Sequence, residues 1–123
     1  MLKDKFSRTI KYLRISLTEA CNLHCFYCRS VQDKTSTSYQ SYLTPDETLQ
    51  ITGAFSELGV SHVRLSGGEP LLRKNVCHLV KGISHLSGIK DISLTTNGIL
   101  LERFSPLLKN AGLHRLNISL DSL

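Results

Sequence analysis

The 123-residue sequence has no tryptophan, a single methionine and only three prolines. No apolar run approaches the ~20 residues a membrane-spanning helix needs, which argues against a helical span. The opening Met1-Leu2-Lys3-Asp4-Lys5 leads into no continuous apolar stretch of the signal-peptide kind, so a cytoplasmic protein is expected. The net charge of +5 is not gathered into a basic tract interleaved with aromatics. Lys3, Lys11, Arg29, Lys34, Lys74, Lys90 and Arg115 are scattered, which speaks against nucleic-acid binding and suits a small anionic ligand. The four cysteines lack the even spread of a disulfide framework: three fall within eight residues and Cys77 lies far away. In a reducing compartment that asymmetry points to a metal. Ser16, Ser66 and Ser119 have no convincing histidine and acid partners, which disfavours a hydrolase. His62, His78, His85 and His114 read as surface or helix-boundary residues, and Cys77 as an ordinary small side chain.

What is present describes a soluble α/β domain with one core, 41% hydrophobic and 20% charged. Residues 12–18 alternate apolar with polar, the period of a two-faced strand. A cysteine loop follows, and residues 29–43, rich in Ser, Thr and Gln, read as a surface loop. Thr44-Pro45-Asp46-Glu47 combines an N-cap, a proline at the first helical position and an acid three residues after the cap. Ile51, Ala54, Phe55 and Leu58 supply that helix's apolar stripe, and Gly59 ends it. The unit then repeats: a strand at 62–66, a helix over 71–86 with Leu72, Val76, Leu79, Val80 and Ile83 on one face, and a strand at 91–96. A helix over 101–110, ended near Gly112, leads to a fourth strand at 115–120. Strictly alternating strands and helices predict right-handed βαβ units and a parallel sheet.

Strand parity adds a second layer. Leu13, Ile15 and Leu17 share one face with Val63, Leu65, Ile92, Leu94, Leu116, Ile118 and Leu120, and that face is expected against the helices. The other face presents Arg14, Ser16, Thr18, Arg64, Ser66, Ser93, Thr95, Asn97, Asn117, Ser119 and Asp121. A closed eight-stranded barrel fills its interior with branched apolar side chains, so these polar rows predict a sheet curved around a polar ligand cavity. An antiparallel sheet with one solvated face is the competing arrangement.

The chemistry is concentrated in Cys21-Asn22-Leu23-His24-Cys25-Phe26-Tyr27-Cys28, three thiols spaced CxxxCxxC directly after a predicted strand. Thiolates are soft ligands suited to iron–sulfur clusters, and three of them on a four-iron cubane leave one iron open for a substrate or cofactor. Zinc held by the three cysteines with His24 or a water is the alternative.

This loop, together with Ser66-Gly67-Gly68-Glu69-Pro70 at the end of the second strand, resembles the signature of the radical S-adenosylmethionine (SAM) superfamily. Further blocks are Tyr12-Leu13-Arg14-Ile15-Ser16, Val63 to Arg73, Leu94-Thr95-Thr96-Asn97-Gly98 and Leu116 to Leu123. Within the superfamily these resemble the GTP 3′,8-cyclase family of molybdenum cofactor biosynthesis, over about residues 12–123.

The resemblance implies the first half of an open, TIM-type βα barrel, with a [4Fe–4S] cluster on Cys21, Cys25 and Cys28. It implies contacts to SAM from Tyr27, Gly68 and Ser119, and to GTP from Arg14, Arg64 and Thr95. The backbone and acid of the Gly-Gly-Glu-Pro turn are expected near the amino end of SAM. Reductive cleavage of SAM, with an electron from a flavodoxin- or ferredoxin-like donor, is then expected to yield a radical that takes hydrogen from C3′ of GTP, after which the ribose carbon attacks C8; a radical SAM enzyme with a different substrate and a non-catalytic truncated remnant are the alternatives. Two departures stand out: Arg29-Ser30 follows Cys28 where the family has Met-Pro, and the family's later βα units, second cluster and Gly-Gly tail have no counterpart here. Residues 1–123 are therefore expected to be the amino-terminal part of the core domain, completed by a homo-oligomer or by a chain supplying the rest of the barrel.

Overall fold

The computed structural model describes residues 1–28 and 42–120. Along them run β1 (Tyr12–Ser16), α1 (Pro45–Glu57), β2 (His62–Ser66), α2 (Val76–Ser84), β3 (Asp91–Thr96), α3 (Leu101–Ala111) and β4 (Arg115–Ile118), with a 3-10 turn at Pro70–Leu72. Each strand pairs in parallel with the next, in the order β1-β2-β3-β4, which establishes the βα-repeat arrangement over the antiparallel alternative. Most of the loop expected at 29–43, including Arg29 and Ser30, lies outside the described residues, as does Asp121.

The register Leu13↔Val63↔Ile92 carries the apolar row across three strands, and Leu94↔Leu116 extends it to the fourth. Val63, Leu65, Ile92 and Leu94 are buried beneath α2, whose Val76, Leu79, Val80 and Ile83 form the facing surface. Each such side chain contributes about 1.5–3 kcal/mol when fully removed from water. At β4 this cover ends: Leu116, Ile118 and Leu120 are 38%, 56% and 70% exposed.

Two helices depart from the sequence reading. In α1 the buried positions are Thr48 and Thr52, whereas Ile51, Ala54 and Leu58 face outward. The hydroxyls of both threonines donate to the carbonyl four residues earlier, Thr48 to Thr44 at 2.8 Å and Thr52 to Thr48 at 2.7 Å. With the hydroxyl satisfied on its own helix, threonine packs much as a small apolar residue does. The capping box is formed as expected, with Glu47 N–H donating to Thr44 Oγ1 and Thr44 N–H to Glu47 Oε2.

The helix expected over 71–86 is interrupted. Arg73 is extended, and Asn75 adopts a left-handed conformation (φ 64°) before α2 begins. The Glu69 carboxylate accepts Leu71 N–H at 3.2 Å, capping the short turn and burying Leu71 in place of Leu72, which is 40% exposed. The first and fourth strands are also shorter than expected, stopping at Ser16 and Ile118. The first ten residues, to which no element had been assigned, bend back through a Lys3↔Thr9 bridge. Asp4 accepts hydrogen bonds from Phe6 N–H and Arg8 N–H, and Leu2 N–H donates to Leu58 O at the end of α1.

Candidate functional site

The polar strand face opens at the carboxyl ends of the strands, the end at which βα folds place their ligands. There a cleft of about 190 Å³ is lined by Arg14, Cys21, Cys25, Tyr27, Cys28, Ser66, Gly67, Gly68, Thr95, Thr96, Asn97 and Ser119, with Leu23. Small-molecule sites usually enclose roughly 300–1,000 Å³, so this cleft is small for one.

Cys21, Cys25 and Cys28 all reach this cleft, and a turn in which Cys28 N–H donates to Cys25 O at 2.9 Å joins the last two. Among the described residues no group of His, Cys, Asp and Glu side chains is placed to hold a single metal ion. A cubane makes a different demand, because each thiolate binds its own iron and the ligands stay apart. Three soft donors on one cleft wall fit that group. Cys77 is different in kind: it packs against the apolar core, and burial pushes its thiol above the ordinary range.

The Gly-Gly-Glu-Pro turn places Gly67 and Gly68 on the cleft wall and is itself held by the neighbouring backbone. Gly68 N–H donates to Thr18 O at 2.7 Å and Glu69 N–H to Ala20 O at 2.8 Å, which lays the turn against the chain entering the cysteine loop. A Cβ on Gly67 would sit 2.4 Å from Thr18 O, and one on Gly68 2.3 Å from Ala20 O. The glycines are thus required by this backbone-to-backbone contact, and Gly67 also has φ of 143°. Glu69, expected near a ligand, is 1% exposed and is not part of the cleft wall. Its carboxylate accepts from Thr96 Oγ1 at 2.7 Å, Asn97 N–H at 2.8 Å and Leu71 N–H, so it staples the turn to the end of β3.

Arg14 and Arg64 are paired in register on the polar face. Arg14 Nε donates upward to Ser66 Oγ at 3.1 Å, which carries its guanidinium to the cleft; Arg64 Nε donates sideways to Ser93 Oγ at 3.3 Å and stays below it. Arg14 brings the one permanent positive charge among the described lining residues. Ser119 is held by its N–H donating to Thr96 O at 2.9 Å.

Three residues had been given no role. Asn97 bridges to the cysteine loop, its Nδ2 donating to Asn22 Oδ1 at 2.8 Å. Arg73 donates to Leu17 O at 2.9 Å and to Leu43 O, with its guanidinium 5.2 Å from the Tyr42 ring, and so ties together the two ends of the segment that carries the cysteines. Parity had put Asn97 on the correct face, but the partners of Asn22 and Arg73 lie far off in sequence. Of the histidines expected to be surface or helix-boundary residues, His62 stacks on Tyr12, His114 Nδ1 accepts Ile92 N–H, and His85 Nδ1 bonds to Lys81 O.

The parallel βα sheet carries its three-cysteine loop after the first strand, and the Radical SAM superfamily model matches residues 15–123. The chain belongs to the radical SAM superfamily. It is 49% identical over 122 residues to the GTP 3′,8-cyclase of Alkaliphilus metalliredigens and 51% identical to the probable GTP 3′,8-cyclase of Methanocaldococcus jannaschii. Those alignments take in 99% of this chain but 38% and 40% of the relatives. A molybdenum cofactor biosynthesis protein of Caenorhabditis elegans is 48% identical over 120 residues, covering 98% of this chain and 20% of that protein. The chain therefore spans two fifths or less of the length of these relatives. The crystal structure of BtrN in complex with AdoMet and 2-DOIA shares the fold, with a TM-score of 0.71 at 22% identity over 90% of this chain and 46% of that one. Membership of the superfamily implies a [4Fe–4S] cluster and SAM as cofactors. Among the described residues no helix is long and apolar enough to cross a membrane.

Proposed function

We propose that Cys21, Cys25 and Cys28 hold a [4Fe–4S] cluster, that SAM lies against Tyr27, Gly68 and Ser119, and that Arg14, Arg64 and Thr95 bind GTP. The reaction is cyclisation of GTP to 3′,8-cyclo-7,8-dihydro-GTP for the molybdenum cofactor, in the cytoplasm, with a flavodoxin- or ferredoxin-like protein as electron donor. One observation carries the reading: the three thiols share a single cleft wall with Tyr27, Gly68, Ser119, Arg14 and Thr95. Residues 1–123 act as the amino-terminal part of the radical SAM core, and further βα units cover the exposed Leu116, Ile118 and Leu120 and complete the cavity.

When bound, the cluster and SAM supply the one-electron chemistry that starts hydrogen abstraction; the chain's part is to bind, orient and shield. The Cys21, Cys25 and Cys28 thiolates neutralise and anchor the iron. Arg14 offers charge-assisted hydrogen bonds to an anionic ligand, and its Nε bond to Ser66 fixes the direction of the fork. The Glu69 staple holds the Gly68 backbone and the carboxyl end of β3 at a constant spacing across the cleft.

Anaerobic reconstitution tests this. The chain is expected to take up about four irons and four sulfides and to turn brown. Cys21→Ser, Cys25→Ser or Cys28→Ser should each abolish the chromophore, while Cys77→Ser should leave it intact. Stoichiometric zinc with no iron uptake under strict reduction would sink the proposal.

A further inference from the structure

Asn97 carries a role that the proposed chemistry does not use. Its carboxamide is oriented without ambiguity: Oδ1 accepts Ile99 N–H at 3.1 Å, so the amino group must point the other way. One amino hydrogen goes to Asn22 Oδ1 at 2.8 Å, and the Nδ2···Sγ distance to Cys21 is 4.0 Å. The backbone beneath is equally constrained, because Asn97 N–H is bound at 2.8 Å by the buried Glu69 carboxylate. An amide donor is thus held facing a cysteine sulfur from the end of β3, in contact with the loop that carries the sulfur.

We infer that Asn97 is a positioning residue that tunes the metal centre: its amino group donates toward the Cys21 sulfur and makes the cluster easier to reduce. The inference rests on the proposal that Cys21 is a cluster ligand. A cluster gains one negative charge on reduction, and part of that charge resides on the cysteine sulfurs. An N–H dipole aimed at a sulfur therefore stabilises the reduced form more than the oxidised form, and the potential rises. At 4.0 Å the contact is long for the thiol, and a thiolate bearing iron charge attracts the donor more strongly. Asn22 has a supporting part, since its carbonyl oxygen takes one amino hydrogen and leaves the other directed at sulfur.

The experiment is a redox titration of the reconstituted cluster in the whole chain, followed by electron paramagnetic resonance, in the wild type, Asn97→Ser and Asn97→Asp. Asn97→Ser removes the amino group without adding charge. It should lower the equilibrium constant for reduction by roughly tenfold, which is about 59 mV for a one-electron couple. Asn97→Asp, which adds a negative charge as well, should shift it further in the same direction. Iron and sulfide content is measured alongside. A shift in Asn97→Asp alone would assign the effect to charge and overturn the inference, as would lowered occupancy with an unchanged potential, the mark of a purely structural residue. If Asn97→Ser assembles no cluster, Asn22→Ala decides: a smaller negative shift supports the inference and an unchanged potential overturns it. A wild-type chain that assembles no iron–sulfur cluster would overturn the metal-centre proposal and this inference with it.

Discussion

The two faces of the sheet are built from the same four strands and differ in what they ask of their neighbours. On the helix side Leu65, Ile92 and Leu94 are fully buried against α2, and these three side chains have no polar atom to satisfy. On the other side Ser66 and Ser93 are just as inaccessible, 5% and 2% exposed, but each is covered by an arginine that hydrogen-bonds to it. The first face is closed by close packing, which tolerates no change of volume. The second is closed only by long charged side chains, which can exchange a serine partner for a ligand at little cost. Close packing resides on one face and the proposed ligand contacts on the other.

The sharpest way to break that division is a cavity in the helix face. Leu94→Ala should cost about 2–5 kcal/mol in denaturant unfolding, because the surrounding strands and α2 cannot collapse onto the gap. Where the variant still folds, cluster content per folded chain should match the wild type. A cluster lost in proportion beyond the unfolded fraction would show that the faces are coupled.

Next in size is the recognition face. Arg14→Ala and Arg64→Ala should leave the unfolding midpoint and the iron content nearly unchanged, yet weaken GTP binding by the complete enzyme. The charge-assisted bonds at stake are worth about 1.5–3 kcal/mol each, or roughly 10- to 100-fold in affinity. Arg14 lies on the cleft wall and Arg64 below it, so the larger loss is expected for Arg14→Ala. Equal and negligible losses, measured by equilibrium binding, would remove both arginines from the proposed GTP site.

The smallest effect is expected at the sheet edge, where Arg115 Nε donates to Asp91 Oδ1 at 3.0 Å. This hydrogen bond, reinforced by the nearby positive charge, holds the Asp91 carboxyl below its ordinary range. The folded state thus binds that proton more weakly than the unfolded state. The stabilisation is fully present above the ordinary aspartate pKa and is lost as pH falls through the lowered value. Asp91→Asn should remove only this acid-range dependence, and added salt should weaken the pair, since the Arg115 side chain is 55% exposed. Unfolding midpoints measured against pH in both proteins check the sign.

Much of this arrangement is written in local sequence. The period-two alternation of Tyr12–Ser16 and the β2 and β3 strands set both faces, and Thr44-Pro45-Asp46-Glu47 started α1 where expected, because strand parity and helix capping are decided within a few residues. The CxxxCxxC spacing likewise marked three soft thiolate donors without any fold, since thiolate softness belongs to the residues themselves. What the chain could not disclose locally are the features that depend on distant partners. Ile51 faces outward because Thr48 and Thr52 satisfy their own hydroxyls and are claimed by the core. The break before α2 accompanies the Glu69 carboxylate's bonds to Leu71, Thr96 and Asn97, the last two far off in sequence. The same long-range packing presses Gly68 onto Ala20 and sets Asn97 opposite Cys21, 76 residues away. A side chain's type and period follow from its own covalent structure and near neighbours, whereas the direction of a hydrogen bond between strands exists only once the sheet has brought the strands together.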